Sequence, residues 1–257
     1  MLTPPEIARS LLAAGESKAR LPLGKMLLLA ILAGAYIALA GVGATAAAVT
    51  VESGSLAKLL SACVFPAGLS MVILAGSELF TGNCLMVMAL LERRITPAQL
   101  LRNWLTVYLG NAVGGAAVAA LAVYSHTASL FGDGLARSMV SIAESKAALG
   151  AGDAFLRGVL CNFLVCLAVW MAAASKHAEG KVIALFFPIL LFVLCGYEHC
   201  IANLYYLPAG AFAAAEYGME TTLTLAGCLE NLAAVTLGNL VGGAALGVGY
   251  RFAYLKE

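Results

Sequence analysis

Long apolar stretches separated by short polar segments dominate the chain. A helix needs roughly 20 apolar residues to cross the hydrocarbon core of a bilayer. Six stretches have that length, and they lie at about 26–49, 57–91, 98–124, 154–175, 182–206 and 222–250. A composition of 62% apolar and 11% charged residues agrees with this pattern. We therefore predict an all-α integral membrane protein with six transmembrane helices.

Two of these stretches carry the same polar interruption. GSELFTGN occupies residues 76–83 and GYEHCIAN occupies residues 196–203. Each has a glycine, a glutamate two positions later and an asparagine seven positions later. Both lie inside runs too apolar for a soluble loop, and unwound backbone at membrane depth must line protein or a cavity. We predict that transmembrane helices two and five are broken at these segments.

The breaks belong to an internal repeat. NWLTVYLGNAVGG at 103–115 matches NLAAVTLGNLVGG at 231–243, which is 128 residues later, and the two breaks are 120 residues apart. Helices one to three thus repeat as helices four to six. Because three is an odd number, the second copy enters the membrane from the opposite face. Such inverted repeats commonly bring two broken helices together near the bilayer midplane.

The repeat also predicts the orientation of the chain. Six crossings place both termini on one side, and 11 of the 15 lysine and arginine residues, Lys256 among them, flank that side. By the positive-inside rule both termini are cytoplasmic, in a bacterial-type inner membrane. The polar start and the long apolar run after it do not match a cleaved signal peptide. The predicted segments are an N-terminal segment (1–25), the first repeat (26–124), an extracytoplasmic connection (125–153), the second repeat (154–250) and a C-terminal segment (251–257).

Ionisable side chains at membrane depth are costly, and they are functional candidates for that reason. Glu78, Glu198 and His199 are predicted to lie clearly inside the spans. A carboxylate beside a helix break can accept hydrogen bonds from freed N–H groups, and both repeats carry one, so we interpret the glutamates chiefly as scaffold. His199 has no counterpart, because Leu79 takes its place. Since histidine exchanges protons near neutral pH, we predict a proton-donating or anion-sensing role for it.

Two further residues are candidates from their positions. Asn162 is a polar side chain in the middle of a span and could orient a group beside His199. Lys146 lies in the segment 138–149, whose helical spacing allows it to return toward the pore, although a lysine there can also simply be solvated. Small residues predict close helix packing in spans three and six, at Gly110, Gly114, Ala117, Gly238, Gly242 and Ala245.

Cysteine usage and motif content bear on other classes of protein. The seven cysteines include no CxxC pair, so a disulfide framework is not predicted. Cys195, His199 and Cys200 would suit a soft-metal cluster, but cysteine is also a common small apolar residue of helix interiors. No nucleophile with a base and no phosphate-binding loop is present. We predict neither an enzyme, a cofactor nor a bound metal and, without a basic patch, no nucleic-acid partner.

Five motifs occur in order along nearly the whole chain: AGSELFTGN, NWLTVYLGN, LCNFLVCLAVWMA, GYEHCIAN and VTLGNLVGG. Together they resemble the formate/nitrite transporter family, which also includes hydrosulfide channels. The resemblance implies a homopentamer in which each aquaporin-like protomer has its own pore. It also implies a small monovalent anion as the substrate, namely nitrite, formate or hydrosulfide.

The resemblance assigns roles to individual residues. The family's central histidine falls on His199, its pore asparagine on Asn162, its vestibule lysine on Lys146 and its loop threonine on Thr81, and we place Glu198 beside them on the pathway. The family's hydrophobic constrictions fall on Phe65, Leu69, Leu79, Phe80, Val165 and Phe192. We interpret as scaffold of the breaks Glu78, Asn83, Asn203, Asn111 and Asn239.

The expected mechanism follows from the cost of desolvating a charge. A neutral polar molecule crosses an apolar slit far more easily than an anion. Lys146 and half-helix N-termini would gather the anion, and His199 would supply or relay the proton that lets it cross as the neutral acid. The alternatives are passive anion conduction without protonation and an aquaporin-like channel for a neutral solute. The sequence does not rank the three anions, and it leaves open the net direction of transport and gating by residues 1–24.

Overall fold

The computed structural model describes residues 1–255, and within that range the chain is helical, with no strand. Short 3-10 helices occupy Cys84–Met86 and Thr127–Ser129. Lys256 and the end of the predicted C-terminal segment lie outside the described residues. The α-helices in chain order are α1 (Pro4–Ala19), α2 (Leu23–Ala48), α3 (Gly54–Val64), α4 (Pro66–Ala75), α5 (Phe80–Asn83), α6 (Val87–Leu91), α7 (Pro97–Tyr124), α8 (Gly134–Ala147), α9 (Ala151–Ala173), α10 (Ala178–Leu194), α11 (Cys200–Glu216) and α12 (Leu225–Tyr254).

Among residues 1–255, five helices are long and apolar enough to cross a membrane: α2, the nearly continuous α3–α4 unit, α7, α9 and α12. The fifth predicted stretch is instead divided between α10 and α11, which have 17 residues each. The structure corrects the end of this stretch, which the sequence analysis places at residue 206. α11 continues through Pro208 to Glu216, because the alanine-rich residues after the proline favour helix and pack against α7 and α8.

Both predicted breaks are present. α4 ends at Gly76, whose φ is +78°, and the chain is extended at Leu79 before α5 begins. After α10, Gly196 has a φ of +69°, and the chain is extended at His199 before α11 begins. Glycine adopts the left-handed conformation readily because it has no Cβ. This requirement explains why a glycine opens each break.

The predicted small-residue faces bring two pairs of helices into close contact. α2 packs along α7, and α9 packs along α12, in the two most extensive helix pairs of the described residues. A Cβ atom at Gly114 would collide with the Ile31 carbonyl, and one at Gly242 would collide with the Val159 carbonyl. The glycines and the carbonyls they approach are each separated by the same 128 residues. The small residues therefore serve the same packing in both helix pairs.

The N-terminal segment forms a helix, α1, that the sequence analysis does not predict. A capping box of Thr3 and Glu6, with proline at the first helical position, starts it. The Leu2 N–H donates to the Ala174 carbonyl at 2.8 Å, and Glu16 lies 3.7 Å from Arg94. The N-terminus, the α6–α7 connection and the α9–α10 connection therefore share one face of the molecule. α8 lies at the other end of the pathway described below, packed against α11.

Candidate substrate pathway

Side-chain amides hold the first break in place. Asn111 Nδ2 donates to the Glu78 carbonyl (2.9 Å) and to a carbonyl of α2 (2.7 Å), and its Oδ1 accepts from the Phe80 N–H at 3.0 Å. Asn83 Nδ2 donates to Glu78 Oε2 at 2.7 Å and to Asn103 Oδ1 at 2.9 Å. Two of these bonds satisfy backbone groups that the break removes from helical pairing, and the others tie the break to α2 and α7.

The second break has the same arrangement, atom for atom. Asn239 Nδ2 donates to the Glu198 carbonyl (2.9 Å) and to a carbonyl of α9 (2.8 Å), and its Oδ1 accepts from the Cys200 N–H at 2.9 Å. Asn203 Nδ2 donates to Glu198 Oε2 at 2.7 Å and to Asn231 Oδ1 at 2.8 Å. The repeated asparagines are therefore repeated because each break needs the same hydrogen bonds.

Each break glutamate is paired with a lysine from α1 or α8, the helices at the two ends of the pathway. Lys146 Nζ of α8 lies 2.9 and 3.0 Å from the two carboxylate oxygens of Glu198, and 5.4 Å above the centre of the Tyr206 ring. Lys18 Nζ of α1 lies 2.7 Å from Glu78 Oε1. The sequence analysis missed Lys18, although the proline and capping residues of α1 could have located its helix.

Hydrogen bonds fix α8 over the second break. Glu144 Oε1 accepts from the Thr222 N–H at 2.7 Å and from the Thr221 hydroxyl at 2.9 Å, and these bonds, the Thr222 N–H first, lower the pKa of Glu144. Asn231 Nδ2 donates to the Lys146 carbonyl at 2.8 Å. Lys146 is therefore held in place through its backbone as well as through its ion pair.

His199 belongs to the second break, reaches Thr81 of the first break and is buried, with 3% of its surface exposed. Its Nδ1 accepts from the Ala202 N–H at 3.1 Å, as the N-cap of α11, and its Nε2 lies 3.0 Å from Thr81 Oγ1. Because Nδ1 is an acceptor, a neutral ring carries its proton on Nε2 and donates it to Thr81. The His199 ring stacks on the Phe192 ring, with the ring centres 5.7 Å apart.

Three cavities follow one another between α1 and α8. We call the cavity beside α1 the α1 vestibule, the cavity beside α8 the α8 vestibule, and the narrow cavity between them the slit. Their volumes are about 510 Å³, about 550 Å³ and about 10 Å³, respectively. Leu69 and Leu79 line both the α1 vestibule and the slit. Phe65, Phe192 and His199 line both the slit and the α8 vestibule. The shared residues show that the cavities form one pathway with a narrow centre.

The walls of the slit are apolar except for His199. Phe80, predicted as a constriction, does not line the slit. Its ring packs against Tyr108 and Trp104, with ring centres 5.1 Å and 6.4 Å apart. Ile37 and Ile189 line the slit without having been predicted, since an isoleucine in an apolar helix carries no distinguishing signal. The predicted constriction residues that do line the slit are Phe65, Leu69, Leu79, Val165 and Phe192.

Both vestibules have more basic than acidic side chains. The charged residues that line the α8 vestibule are Lys58, Lys146, Arg157 and Glu198, and those of the α1 vestibule are Lys18, Glu78, Lys176 and Lys181. Each set has three basic groups and one carboxylate. A concave surface with this surplus concentrates small anions.

Asn162 and Thr81 are hydrogen-bonded to each other, and neither residue lines the three cavities. The Thr81 carbonyl accepts from Asn162 Nδ2 at 3.2 Å and from Cys166 Sγ at 3.3 Å. Asn162 Nδ2 also donates to the Asn239 carbonyl at 2.7 Å. Asn162 therefore links the first break to the anchor of the second. The sequence analysis assigned no role to Cys166, whose thiol contacts are visible only in the fold.

The alternative metal cluster at Cys195, His199 and Cys200 is not formed. Across residues 1–255, no three histidine, cysteine, aspartate or glutamate side chains are grouped so that they could hold a metal ion. Cys195 is exposed, whereas Cys200 is buried. His199 already uses both ring nitrogens in hydrogen bonds within the protein.

Comparison with known proteins places these features in a family. A family model described as formate/nitrite transporter matches residues 5–253. A probable formate transporter of Methanothermobacter thermautotrophicus is 38% identical, over 99% of this chain and 98% of its own length. The formate channel FocA of Escherichia coli K12 is 34% identical, over 100% of this chain and 96% of its own.

Solved structures give the same result. One described as an FNT family ion channel is 32% identical, covers 96% of this chain and 98% of its own, and superposes with a TM-score of 0.87. A pentameric formate channel with formate bound is 32% identical, covers 91% of this chain and 98% of its own, and has a TM-score of 0.81. These relatives are transporters and channels, not enzymes. The chain therefore belongs to the formate/nitrite transporter family and is a multi-pass membrane protein.

Proposed function

We propose that the chain is a channel for a small monovalent anion of a weak acid, and that formate is its preferred substrate. The observation that carries this proposal is the pathway itself, two cationic vestibules joined by an apolar slit of about 10 Å³ with His199 at one end. The names of the relatives favour formate. Nitrite and hydrosulfide share its charge, small size and weak conjugate acid, so they belong in the same test.

The slit favours passage of the uncharged acid. An anion in the slit loses its hydration and meets apolar side chains instead, whereas its conjugate acid has no net charge to desolvate. In the vestibules Lys146 and the other basic groups stabilise the anionic form. The anion therefore collects where the pathway is wide and takes up a proton before it crosses the narrow centre.

We infer that His199 supplies or relays that proton. The neutral ring first takes a proton from hydronium in the vestibule water, and then one N–H bond of the protonated ring breaks while an O–H bond of the acid forms, which leaves the imidazole neutral again. Protonation of both ring nitrogens would remove the acceptor that caps α11 at the Ala202 N–H. The resting ring is accordingly neutral, and it is charged only while an anion is beside it. Thr81 holds the ring by its Nε2.

The architecture that goes with this function has three parts. Six crossings form two inverted three-helix repeats with the broken helices facing each other, which is supported by the matching hydrogen bonds of the two breaks. Both termini are cytoplasmic. Five protomers assemble around an axis, which is supported by the pentameric relative and by apolar side chains exposed on the protomer, such as Leu109, Leu121 and Leu237.

The first experiment measures uptake by reconstituted liposomes. Formate, nitrite and hydrosulfide are compared by stopped flow across a pH series, with wild type, His199→Asn and His177→Asn. We expect formate uptake to rise as the pH falls in wild type and in His177→Asn. His177 is exposed at the N-cap position of α10, its side chain makes no capping hydrogen bond, and asparagine is favoured at that position. His199→Asn is expected to lose most of this pH dependence while remaining folded.

Other outcomes identify the rivals. Unchanged pH dependence in folded His199→Asn would contradict the proton-transfer role. A formate-dependent electrical current in a planar bilayer would instead indicate passive conduction of the anion. Rapid water or glycerol flow with no anion uptake would indicate a neutral-solute channel and contradict the proposed function as a whole.

A further inference from the structure

The α1 vestibule retains positive charge after its glutamate is neutralised. Glu78 is paired with Lys18 at 2.7 Å. Lys176 and Lys181, in and after the α9–α10 connection, line the same cavity. Neither of them forms a salt bridge with another residue in the range 1–255. Two basic groups are therefore available to a mobile anion at this mouth of the pathway.

A hydroxyl group lies in the same vestibule without a protein partner. Ser77, between the break glycine and Glu78, lines the cavity and has only 7% of its surface exposed. Its Oγ forms no hydrogen bond with any described residue. A buried hydroxyl left unpaired costs stability, and rotation about the Cα–Cβ bond changes the direction in which it donates. Ser77 is thus an unpaired donor whose Oγ is enclosed in the wall of a cationic cavity, and the side chain must rotate about the Cα–Cβ bond for Oγ to reach a ligand there.

The two breaks differ at this position. The residue equivalent to Ser77, 120 positions later, is Tyr197 in the α8 vestibule. The matched scaffold of glutamate and asparagines surrounds both positions, so the scaffold does not account for the difference. In the α1 vestibule, therefore, a serine hydroxyl shares a cavity with two lysines that form no salt bridge, whereas the second break has a tyrosine at the equivalent position.

We propose that the α1 vestibule contains an anion-binding station at which Ser77 donates to an oxygen of a small carboxylate while Lys176 and Lys181 supply the positive charge. The station deepens the proposed function and rests on it only for the choice of formate as the ligand. A hydroxyl together with ammonium groups suits a compact oxyanion. Glu78 does not repel the ligand because Lys18 neutralises it.

A binding station in one vestibule affects transport in one direction only. It lowers the half-saturating concentration for formate that enters through the α1 vestibule. It does not change that concentration for formate that enters through the α8 vestibule, because the slit separates the two cavities. Loss of the station therefore changes one direction of uptake, which a general loss of folding or pore function would not do.

The test compares the two directions in right-side-out and inverted membrane vesicles, in which protease access to an N-terminal tag identifies the vesicles that expose α1. The variants are Ser77→Ala and the pair Lys176→Gln with Lys181→Gln. The matched control is Lys58→Gln with Arg157→Gln, which removes two charges from the α8 vestibule.

For uptake through the α1 vestibule we expect the half-saturating formate concentration to rise about five- to tenfold in each test variant, with no rise through the α8 vestibule. The control is expected to show no rise through the α1 vestibule.

Equal rises in both directions, or no rise, would overturn the station. A binding measurement separates this failure from that of the proposed function. Saturation-transfer NMR with purified protein and formate should give a signal in wild type that weakens in Ser77→Ala and in the lysine pair variant. Binding of this kind without formate uptake by wild type would leave the station standing and refute the formate channel. Absence of the signal in wild type, or an equal signal in all variants, would overturn the station.

Discussion

At the scale of single residues, asparagine provides what a broken transmembrane helix lacks. The Asn111 side chain donates to two carbonyls and accepts from one N–H group, and Asn239 does the same in the second break. No leucine or alanine can make these bonds, and the bilayer core supplies no water to replace them. The break is therefore an ordered structure whose hydrogen bonds come from neighbouring helices.

This reasoning predicts a large cost for Asn111→Leu. The change keeps a similar volume but leaves the Glu78 carbonyl and the Phe80 N–H unpaired and removes a second bond to a helical carbonyl of α2. Each buried unpaired group costs about 1–3 kcal/mol. We expect a loss of about 3 kcal/mol or more, measured as a lower thermal unfolding midpoint of the detergent-solubilised protein. Val113→Leu, at an exposed position two residues further along α7, should leave the midpoint unchanged. Equal midpoints for both variants would contradict the assigned role of Asn111.

At the scale of elements, the close helix pairs depend on glycines at the crossing points. Gly242→Ala places a methyl group against the Val159 carbonyl, and the atom it meets is backbone, so α9 and α12 must separate. Overpacking of this kind costs about 1–3 kcal/mol or more. Gly249→Ala, on the same helix, meets nothing within 4 Å and is expected to change stability by less than about 1 kcal/mol. Size-exclusion profiles before and after heating compare the two, and similar losses in both would contradict this account.

The breaks could be predicted from sequence because their glycine, glutamate and asparagine recur at fixed spacing. Ion pairs and cavity walls follow different rules. Lys18 meets Glu78 only because α1 folds back across its face, a tertiary contact that leaves no local pattern. Ile37 lines the slit although its neighbours are equally apolar, so hydropathy cannot separate lining from packing. The end of α11 was misplaced because a proline was followed by residues that continue the helix within a packed interior.

At the scale of the whole molecule, a nearly symmetrical frame carries an asymmetrical pathway. The hydrogen bonds of the two breaks agree to about 0.1 Å in their matching pairs. Two of the differences between the breaks lie on the pathway, where the second break has His199 and Tyr197 in place of Leu79 and Ser77. Both vestibules have a surplus of basic side chains, whereas the histidine lies at one end of the slit only. The hydrogen-bonded scaffold thus holds the two breaks in equivalent positions, and differences at single residues give the two vestibules different side chains.

The orientation of this asymmetrical molecule is the last prediction. Arg251 near the end of α12 lies 2.7 Å from Glu92, so the end of α12 shares a face with the α6–α7 connection and with α1. The positive-inside rule predicts that this face is cytoplasmic. Alkaline phosphatase is active only outside the cytoplasm, so a fusion after Leu255 should be inactive and one at Gly132, before α8, should be active. Fluorescent-protein fusions at the same sites should give the opposite result, which controls for expression. Activity of the phosphatase after Leu255 would reverse the assignment and place the lysines of the α1 vestibule outside the cell.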